Sequence, residues 1–299
     1  MKKKIVKKID IHVHTSESKW LGYGGSAFAT PEELIEMYDM LGVERGVLLP
    51  ISNSAMVTSS NYENKLIADK YPDRFSWFCS FDPRQCNNEA TTDFMPFLKE
   101  CIDNGAKGVG EITANMPIDD PITFNFFSQV EKCNLPLTFH IGKLGGDYGL
   151  VDGVGLYGLE KALKTFPNLK FLGHSQKFWA EISKLSNEEE RNGYPTGRVV
   201  EGRVVELMRK YPNLLGDLSA GSGYNAISRD SEFGYKFLEE FADRLYYGTD
   251  ICSVKNITNP MLKTAKFLDD AMLNGKISYE TYYKVSRGNA IKLLGLKED

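Results

Sequence analysis

The sequence predicts an α/β fold of the (β/α)8 TIM barrel type, and three observations support this prediction. Short apolar, β-branched runs recur at intervals of a few tens of residues, and eight of them can be counted. Each run is followed by a loop and then by a stretch whose apolar residues have helical spacing. The length of 299 residues also fits, because α/β barrels use about 250 residues as one unit. We therefore expect residues 1–299 to form a single barrel domain.

The predicted strands and helices alternate along the whole chain. The predicted strands are residues 5–14, 45–52, 75–83, 106–113, 136–142, 169–175, 213–221 and 244–252. The predicted helices are residues 31–41, 61–71, 94–104, 123–132, 156–166, 198–211 and 232–242. Thr30 stands before Pro31 as a capping residue, and Gly42 stands where that helix should end. Strand alternating with helix predicts parallel strands joined by right-handed crossovers.

An open, doubly wound sheet is the main alternative fold. Such a sheet usually carries a G-x-G-x-x-G phosphate loop after an early strand, and none follows the first predicted strand here. Residues 142–158 are rich in glycine but follow the fifth strand. We expect residues 142–158 and 177–196 to form long loops over the mouth of the barrel.

Charge and composition exclude some classes of partner. The net charge of −4 argues against binding driven by the charge of a nucleic acid or an anionic membrane. No run approaches the roughly 18 apolar residues that span a bilayer. The five cysteines are odd in number, scattered and without a C-x-x-C pair, which favours a reducing cytoplasm.

The histidines carry the strongest chemical signal, because all of them fall near the C-terminal ends of predicted strands, where barrel active sites lie. Two of them are two residues apart on the first strand, so both imidazoles should point to one face while Ile11 and Val13 point to the other. Imidazoles placed in this way can bind one divalent ion. The chain contains four histidines: His12, His14, His140 and His174.

Two carboxylates lie at the same level of the predicted barrel. Asp250 follows the eighth strand and, by itself, could as well be a turn or cap residue. Glu111 ends the fourth strand, where it could be a metal ligand, a carboxylate shared between two ions, or an acceptor that orients a ligand histidine. These alternatives stay open from the residues alone.

With these residues in place, the chain resembles the amidohydrolase superfamily, and particularly the branch containing aminocarboxymuconate-semialdehyde decarboxylase and related metal-dependent hydrolases. The segment IDIHVHT resembles the first-strand H-x-H of that family, and TFHIG and FLGHS resemble its fifth- and sixth-strand histidines. YYGTDIC resembles its eighth-strand aspartate, and VSRGNAIKLLGL resembles the ending of that branch. The resemblance spans nearly the whole chain.

The resemblance implies a site residue by residue. His12, His14, His140 and Asp250 would bind a first metal, and His174 would either polarise the substrate or bind a second metal. Glu111 occupies the position where binuclear relatives place a bridging carboxylate. The implied cofactor is one or two divalent ions, zinc first, with manganese, iron, nickel or cobalt as alternatives.

The predicted function is metal-dependent hydrolysis of a small-molecule amide, ester or lactone. Metal-activated water would attack the carbonyl, Asp250 would move the proton, and the metal with His174 would stabilise the oxyanion. Non-oxidative decarboxylation of an unsaturated or aromatic acid is the second hypothesis, since the same ligands serve both reactions. A barrel that binds metal without catalysis is the third.

Loop residues supply candidates for holding the substrate. Arg84 and Lys143 could grip a carboxylate, although each could also be an ordinary surface charge. Trp20 follows the H-x-H strand and could belong to a lid. We expect a small-molecule substrate and no nucleic-acid or membrane partner. A homo-oligomer is compatible with such a barrel, but no interface is visible in the sequence.

Overall fold

The centre of the molecule is a ring of parallel strands. The structure is a computed structural model that describes residues 4–19, 22–23, 25–52, 59–146, 148–258 and 263–297. Within these residues the ring strands are β1 (Lys8–Val13), β2 (Val43–Leu48), β3 (Phe75–Trp77), β4 (Val109–Ile112), β5 (Leu137–Gly142), β6 (Phe171–His174), β7 (Leu214–Asp217) and β8 (Leu245–Tyr246). Outside the ring, Gly22–Tyr23 pairs with Ser26–Ala27, and Leu150–Val151 pairs with β5.

Hydrogen bonds between backbones close the ring at both seams. Strands β1 to β3 form one sheet and β4 to β8 form another. At the first seam Cys79 N donates to Gly108 O (2.9 Å), and Gly110 N donates to Cys79 O (2.7 Å). At the second seam Asp250 N donates to His12 O (2.8 Å). The TIM-barrel prediction is therefore confirmed.

The helices follow the strands in the predicted alternation. Within the described residues they are α1 (Pro31–Leu41), α2 (Asn61–Lys70), α3 (Met95–Asp103), α4 (Pro121–Lys132), α5 (Tyr157–Thr165), α6 (Gln176–Ala180), α7 (Arg203–Lys210), α8 (Ala220–Ser228), α9 (Ser231–Glu240), α10 (Lys263–Leu273), α11 (Tyr279–Tyr283) and α12 (Asn289–Leu294). Short 3₁₀ turns cover Glu189–Arg191 and Val254–Thr258, and a π turn covers Lys284–Gly288. None of the helices in this part of the chain is both long and apolar enough to cross a membrane.

Helix α1 shows how local sequence sets an element's ends. Glu33 N donates to Thr30 Oγ1 (3.3 Å) and Thr30 N donates to Glu33 Oε2 (2.9 Å), which completes a capping box ahead of Pro31. Gly42 ends the helix in the left-handed region at φ 69°. Both ends agree with the sequence prediction.

Three predicted elements differ from the structure, each for a local reason. The seventh strand ends at Asp217, and α8 begins at Ala220 in a stretch of small residues that lacks an apolar pattern typical of a helix. Helix α7 begins at Arg203, because residues 199–201 are held in extended pairings, including a bridge between Glu201 and Ser183. The predicted loop 177–196 contains most of α6, which Ser175 caps by accepting from Phe178 N.

The barrel interior is filled by a cluster to which strands around the ring contribute. Ile9 and Ile11 belong to it together with side chains of β2, β6, β7, β8 and α12. Val13 instead packs in the larger layer between strands and helices. The expectation that Ile11 and Val13 share one side was therefore wrong, because the register of β1 shifts between Asp10 and Val13. This irregularity lets β1 contribute apolar side chains to the barrel floor.

Candidate metal centre

Four side chains converge at the C-terminal end of the barrel. The Nε2 atoms of His12 and His14 lie 3.1 Å apart. Asp250 Oδ1 lies 3.6 Å from the first of these atoms and 3.3 Å from the second. Glu111 Oε2 lies 3.8 and 3.7 Å from the same two atoms. His12, His14 and Glu111 are buried, while the Asp250 side chain is 24% exposed.

The outer nitrogens of the two first-strand histidines are held by acceptors. His14 Nδ1 lies 2.7 Å from the Leu49 carbonyl oxygen, and His12 Nδ1 lies 2.6 Å from Asp217 Oδ2. A carbonyl or an ionised carboxylate can only accept, so each Nδ1 carries the hydrogen. In neutral imidazoles the Nε2 lone pairs then face one another, an arrangement that a shared cation or proton must stabilise.

The spacing of these atoms fits a divalent metal ion. Ligand atoms at about 2.0–2.2 Å around a tetrahedral ion are separated by about 3.3 Å. The separations between the ligand atoms of His12, His14 and Asp250 are close to that value, from 3.1 to 3.6 Å. Two imidazoles and a carboxylate with water access form the type of donor set found in catalytic zinc sites. These three residues, and also His12 with Glu111 and His174, form groups whose ligand atoms all lie within 4.8 Å of one another.

Glu111 lies between two pairs of histidines. Its Oε2 faces His12 and His14, as described above. Its Oε1 lies 2.7 Å from His140 Nδ1 and 3.7 Å from His174 Nε2. This is the position of a bridging carboxylate, and it is also the position of one that orients His140 by hydrogen bonding.

His140 and His174 complete the group of residues singled out from the sequence. The ring of His140 contacts that of Tyr148 at a centroid distance of 4.8 Å. His174 Nδ1 lies 2.9 Å from Ser219 Oγ, and its Nε2 lies 3.9 Å from Asp250 Oδ2. All four histidines and both carboxylates therefore meet at one site, where His140 contacts Glu111 through Nδ1 and the ring of His174 at a centroid distance of 5.3 Å.

The charges of the buried groups favour a cation. Burial lowers the pKa of His12, but the carboxylates of Asp217, Glu111 and Asp250 outweigh this effect and raise it to about 10. Burial raises the pKa of each of these three carboxyls, yet the neighbouring histidines hold all three below their ordinary values. Burial, followed by the charge of His12, lowers the pKa of His174 to about 4. Three negative charges therefore surround the protonated imidazole of His12.

Sequence reasoning missed two residues behind the histidines. Asp217 and Ser219 are fully buried at the end of β7, and both contact site histidines. The signal was the DLS triplet that ends the apolar run NLLGDLSAG. A charged residue inside a buried strand end needs a partner, and here that partner is His12.

A tyrosine of the loop after β6 also approaches the site. Burial, and then the charge of Asp250, raise the pKa of Tyr194. A Cβ atom placed on Gly221 would lie 3.1 Å from Tyr194 Oη, so the tyrosine covers the start of α8. Tyr194 remains 55% exposed, which leaves it accessible to a ligand entering the mouth.

Within the described part of the chain, the residues predicted to bind the substrate are not seen at the group of histidines and carboxylates. Arg84 forms a bidentate contact with Asp82 at 2.8 and 2.6 Å. Lys143 is exposed on the loop after β5. Trp20 lies outside the described residues. Substrate binding by any of the three stays a prediction.

Solved structures share this architecture. An uncharacterised TIM-barrel protein from Bordetella bronchiseptica is 19% identical over 97% of this chain and 99% of its own, with a TM-score of 0.67. A probable 2-pyrone-4,6-dicarboxylic acid hydrolase from Acinetobacter baumannii is 17% identical over 97% and 100%, with a TM-score of 0.63. A 2,6-dihydroxybenzoate decarboxylase from Rhizobium is 13% identical over 97% and 99%, with a TM-score of 0.59.

These likenesses establish the fold. No protein-family model matches the chain, and a search of curated proteins returned no significant match. The named neighbours include a hydrolase and a decarboxylase, the two classes of enzyme that the sequence resemblance implies.

Proposed function

We propose that this protein is a metal-dependent enzyme of the amidohydrolase superfamily that hydrolyses an amide, ester or lactone bond in a small molecule. The observation that carries the proposal is the pair of His12 and His14 Nε2 atoms, 3.1 Å apart, with Asp250 and Glu111 oxygens beside them. The hydrogen bonds behind both rings aim their lone pairs at one point. A structural site would be closed by its protein ligands, whereas the Asp250 side chain is 24% exposed.

In this proposal His12, His14 and Asp250 hold the ion, zinc first, and Glu111 Oε2 approaches from β4, 3.8 and 3.7 Å from the two Nε2 atoms. His140, which the resemblance assigns to the metal, is 2.7 Å from Glu111 Oε1 through Nδ1. If His140 Nδ1 carries a hydrogen, it donates to the Glu111 carboxylate and orients it. If that nitrogen loses its hydrogen, its lone pair becomes available to bind the ion. When bound, the ion would supply Lewis acidity and lower the pKa of a water molecule from 15.7 to about 7.

Asp250 is suited to move the proton because its two oxygens have different surroundings. Oδ1 lies among the ligand atoms, 3.3 Å from His14 Nε2. Oδ2 lies 3.9 Å from His174 Nε2, too far for a hydrogen bond, so it can face an attacking water. The histidines keep the pKa of this carboxyl below its ordinary value, so Asp250 begins as the base and later returns the proton to the leaving group.

Decarboxylation is the second candidate, favoured by the fold shared with the decarboxylase neighbour. That reaction needs cations to hold the substrate carboxylate. Arg84, one of the two cations predicted for this role, is already paired with Asp82 at 2.6 Å, which disfavours decarboxylation relative to hydrolysis. The substrate class, small and acyl-containing, is part of the proposal.

A reducing compartment is also part of the proposal. All five cysteines are free thiols, as a reducing cytoplasm would leave them. Disulfide formation on secretion would contradict this assignment.

The test begins with chelator-treated protein assayed against esters, lactones, amides and aromatic acids. The same preparation is then assayed after reconstitution with zinc, manganese or cobalt. Turnover of an ester, lactone or amide that requires added metal supports the proposal. Release of carbon dioxide from an acid would show that the enzyme is a decarboxylase instead. Stoichiometric metal binding without turnover of any compound would show a protein that binds metal without catalysis.

A further inference from the structure

The hydroxyl of Ser219 is placed against one nitrogen of His174. Ser219 lies between β7 and α8, immediately before the first residue of the helix, and it is fully buried. Its Oγ lies 2.9 Å from His174 Nδ1. Its backbone N–H donates to Asp217 Oδ1 at 3.0 Å. Although Ser219 has the N-cap position, its side chain does not cap α8, so the hydroxyl serves the imidazole instead.

The number of hydrogens at this contact selects one form of the imidazole. A neutral histidine carries one ring hydrogen, on Nδ1 or on Nε2. If Nδ1 carried it, Ser219 Oγ would accept, and its own hydrogen would be buried without a partner. Among the described residues the Ser219 hydroxyl makes a hydrogen bond with His174 and with no other group. If Ser219 donates, its hydrogen is satisfied, and the ring hydrogen lies on Nε2.

Carboxylates face both nitrogens of the His174 ring. His174 Nε2 faces Glu111 Oε1 at 3.7 Å and Asp250 Oδ2 at 3.9 Å. His174 Nδ1 faces a single carboxylate oxygen, Asp217 Oδ2, at 3.6 Å. That oxygen already accepts from His12 Nδ1 at 2.6 Å. In the metal-loaded protein Glu111 and Asp250 would be engaged by the ion, so the Ser219 hydroxyl is the contact that selects the form, and Asp217 is the acceptor left for a hydrogen on Nδ1.

We propose that Ser219 is a positioning residue that holds the ring hydrogen of His174 on Nε2. His174 then presents a hydrogen-bond donor over the metal centre, where it can hold the carbonyl oxygen of a substrate. The inference rests on the proposed function and deepens it, because it decides between the two roles that the resemblance left open for His174. A nitrogen that carries hydrogen cannot ligate a second ion.

The ligand groups agree with a single ion. The group of His12, His14 and Asp250 and the group of His12, Glu111 and His174 both depend on His12. Because His12 Nδ1 is bonded to Asp217, only Nε2 of His12 is available, and one lone pair binds one ion. With Nε2 of His174 protonated, the group of His12, Glu111 and His174 lacks one ligand atom, whereas the group of His12, His14 and Asp250 keeps all three.

The test is nitrogen NMR of zinc-loaded protein labelled with ¹⁵N-histidine. Four histidines give eight ring nitrogens, and protonated, unprotonated and metal-bound nitrogens have distinct shifts and couplings. Loss of resonances in His174→Gln assigns the ring. We expect His174 with a hydrogen on Nε2 and a bare Nδ1, together with one zinc per chain. A hydrogen on Nδ1, or zinc bound to Nε2, would overturn the inference.

Two serine variants test the cause. In Ser219→Ala the donor is gone, and we expect the form with hydrogen on Nδ1 to become the major one, now facing Asp217. Ser175→Ala is the matched control, because Ser175 is equally buried beside His174 but its hydroxyl accepts from Ile141 N and Phe178 N. It should leave the His174 form unchanged.

An unchanged His174 spectrum in Ser219→Ala would reject the positioning role. If Ser219→Ala does not fold, the wild-type spectrum still decides where the ring hydrogen lies. These readouts need no substrate, so absence of hydrolysis in the panel assay would reject the proposed reaction without affecting this result.

Discussion

His12 Nδ1 lies 2.6 Å from Asp217 Oδ2, so a buried carboxylate of β7 holds a ring of β1 from behind. The contact fixes which nitrogen of His12 faces the candidate ion. It also makes that nitrogen a better electron donor, because a carboxylate acceptor increases the basicity of the ring. Asp217 therefore supports the candidate metal centre through His12 and is not one of its candidate ligands.

Replacing Asp217 by Asn should weaken zinc binding about 10- to 100-fold, because the charge behind His12 is lost while the shape is kept. Competition with a chromophoric chelator would measure the dissociation constant. Asp152→Asn is the control, since Asp152 accepts from Gly158 N and Leu159 N at the start of α5, outside the site. Equal zinc affinity in wild type and Asp217→Asn would contradict the role given to this carboxylate.

Metal binding should release about one proton near neutral pH. The pKa of His12 is raised from 6.5 to about 10 in the protein without metal, so the ring is protonated at pH 7. The ion needs the Nε2 lone pair, so the proton must leave, and affinity should rise about tenfold per pH unit below that pKa. Calorimetry in buffers of different ionisation enthalpy would count the protons, and a value near zero would mean that His12 is already neutral.

Purified wild-type protein should contain about one metal ion per chain. Glu111→Ala should contain much less than one, because one oxygen facing His12 and His14 is lost. Plasma mass spectrometry on protein purified without chelator or added metal would measure both contents. Glu160→Ala is a control, since Glu160 pairs with Lys210 at 2.7 Å on the outside of the barrel. Two ions falling to one in Glu111→Ala would instead identify Glu111 as a bridge and His174 as a ligand.

The fold and most of the site could be predicted from sequence because their signals are local. Each strand is a short apolar run, and the candidate metal ligands stand at the ends of such runs. Gly42 and Thr30 mark helix ends through chemistry that operates within a few residues. The single-domain organisation stays a prediction.

The features that could not be predicted depended on contacts between residues distant in sequence or, for helix α8, on an untypical local sequence. The pairing of His12 with Asp217 joins positions 205 residues apart, so the local sequence indicates that Asp217 needs a partner but not which residue that partner is. The shift in register within β1, which turns Ile11 to the interior, depends on neighbouring strands. Helix α8 was missed because its sequence, AGSGYNAIS, is typical of a loop.

Asp10 should contribute strongly to stability although it is not one of the candidate metal ligands. Its carboxylate accepts from His12 N (3.0 Å), Thr249 N (2.9 Å), Tyr38 Oη (2.7 Å) and Thr249 Oγ1. Asp10→Ala would leave these buried donors unpaired and should lower the free energy of unfolding by about 3 kcal/mol. Urea denaturation would measure this loss. Asp39→Ala, at a residue whose side chain is 66% exposed, should change stability by less than about 0.5 kcal/mol, and a similar loss in both variants would refute the argument.

Asp250→Asn should separate proton transfer from folding. Asp250 has a φ of 59°, a left-handed conformation that Asn also tolerates, and Asn keeps an oxygen for the ion. The amide cannot take a proton from water, so turnover of a substrate found in the panel should fall by about 10²- to 10⁴-fold. Steady-state kinetics at matched metal content would measure the fall, and circular dichroism would verify the fold. Asp119→Asn, outside the site and paired with Lys161, should retain full activity, whereas turnover of Asp250→Asn within tenfold of wild type would remove Asp250 from the proton path.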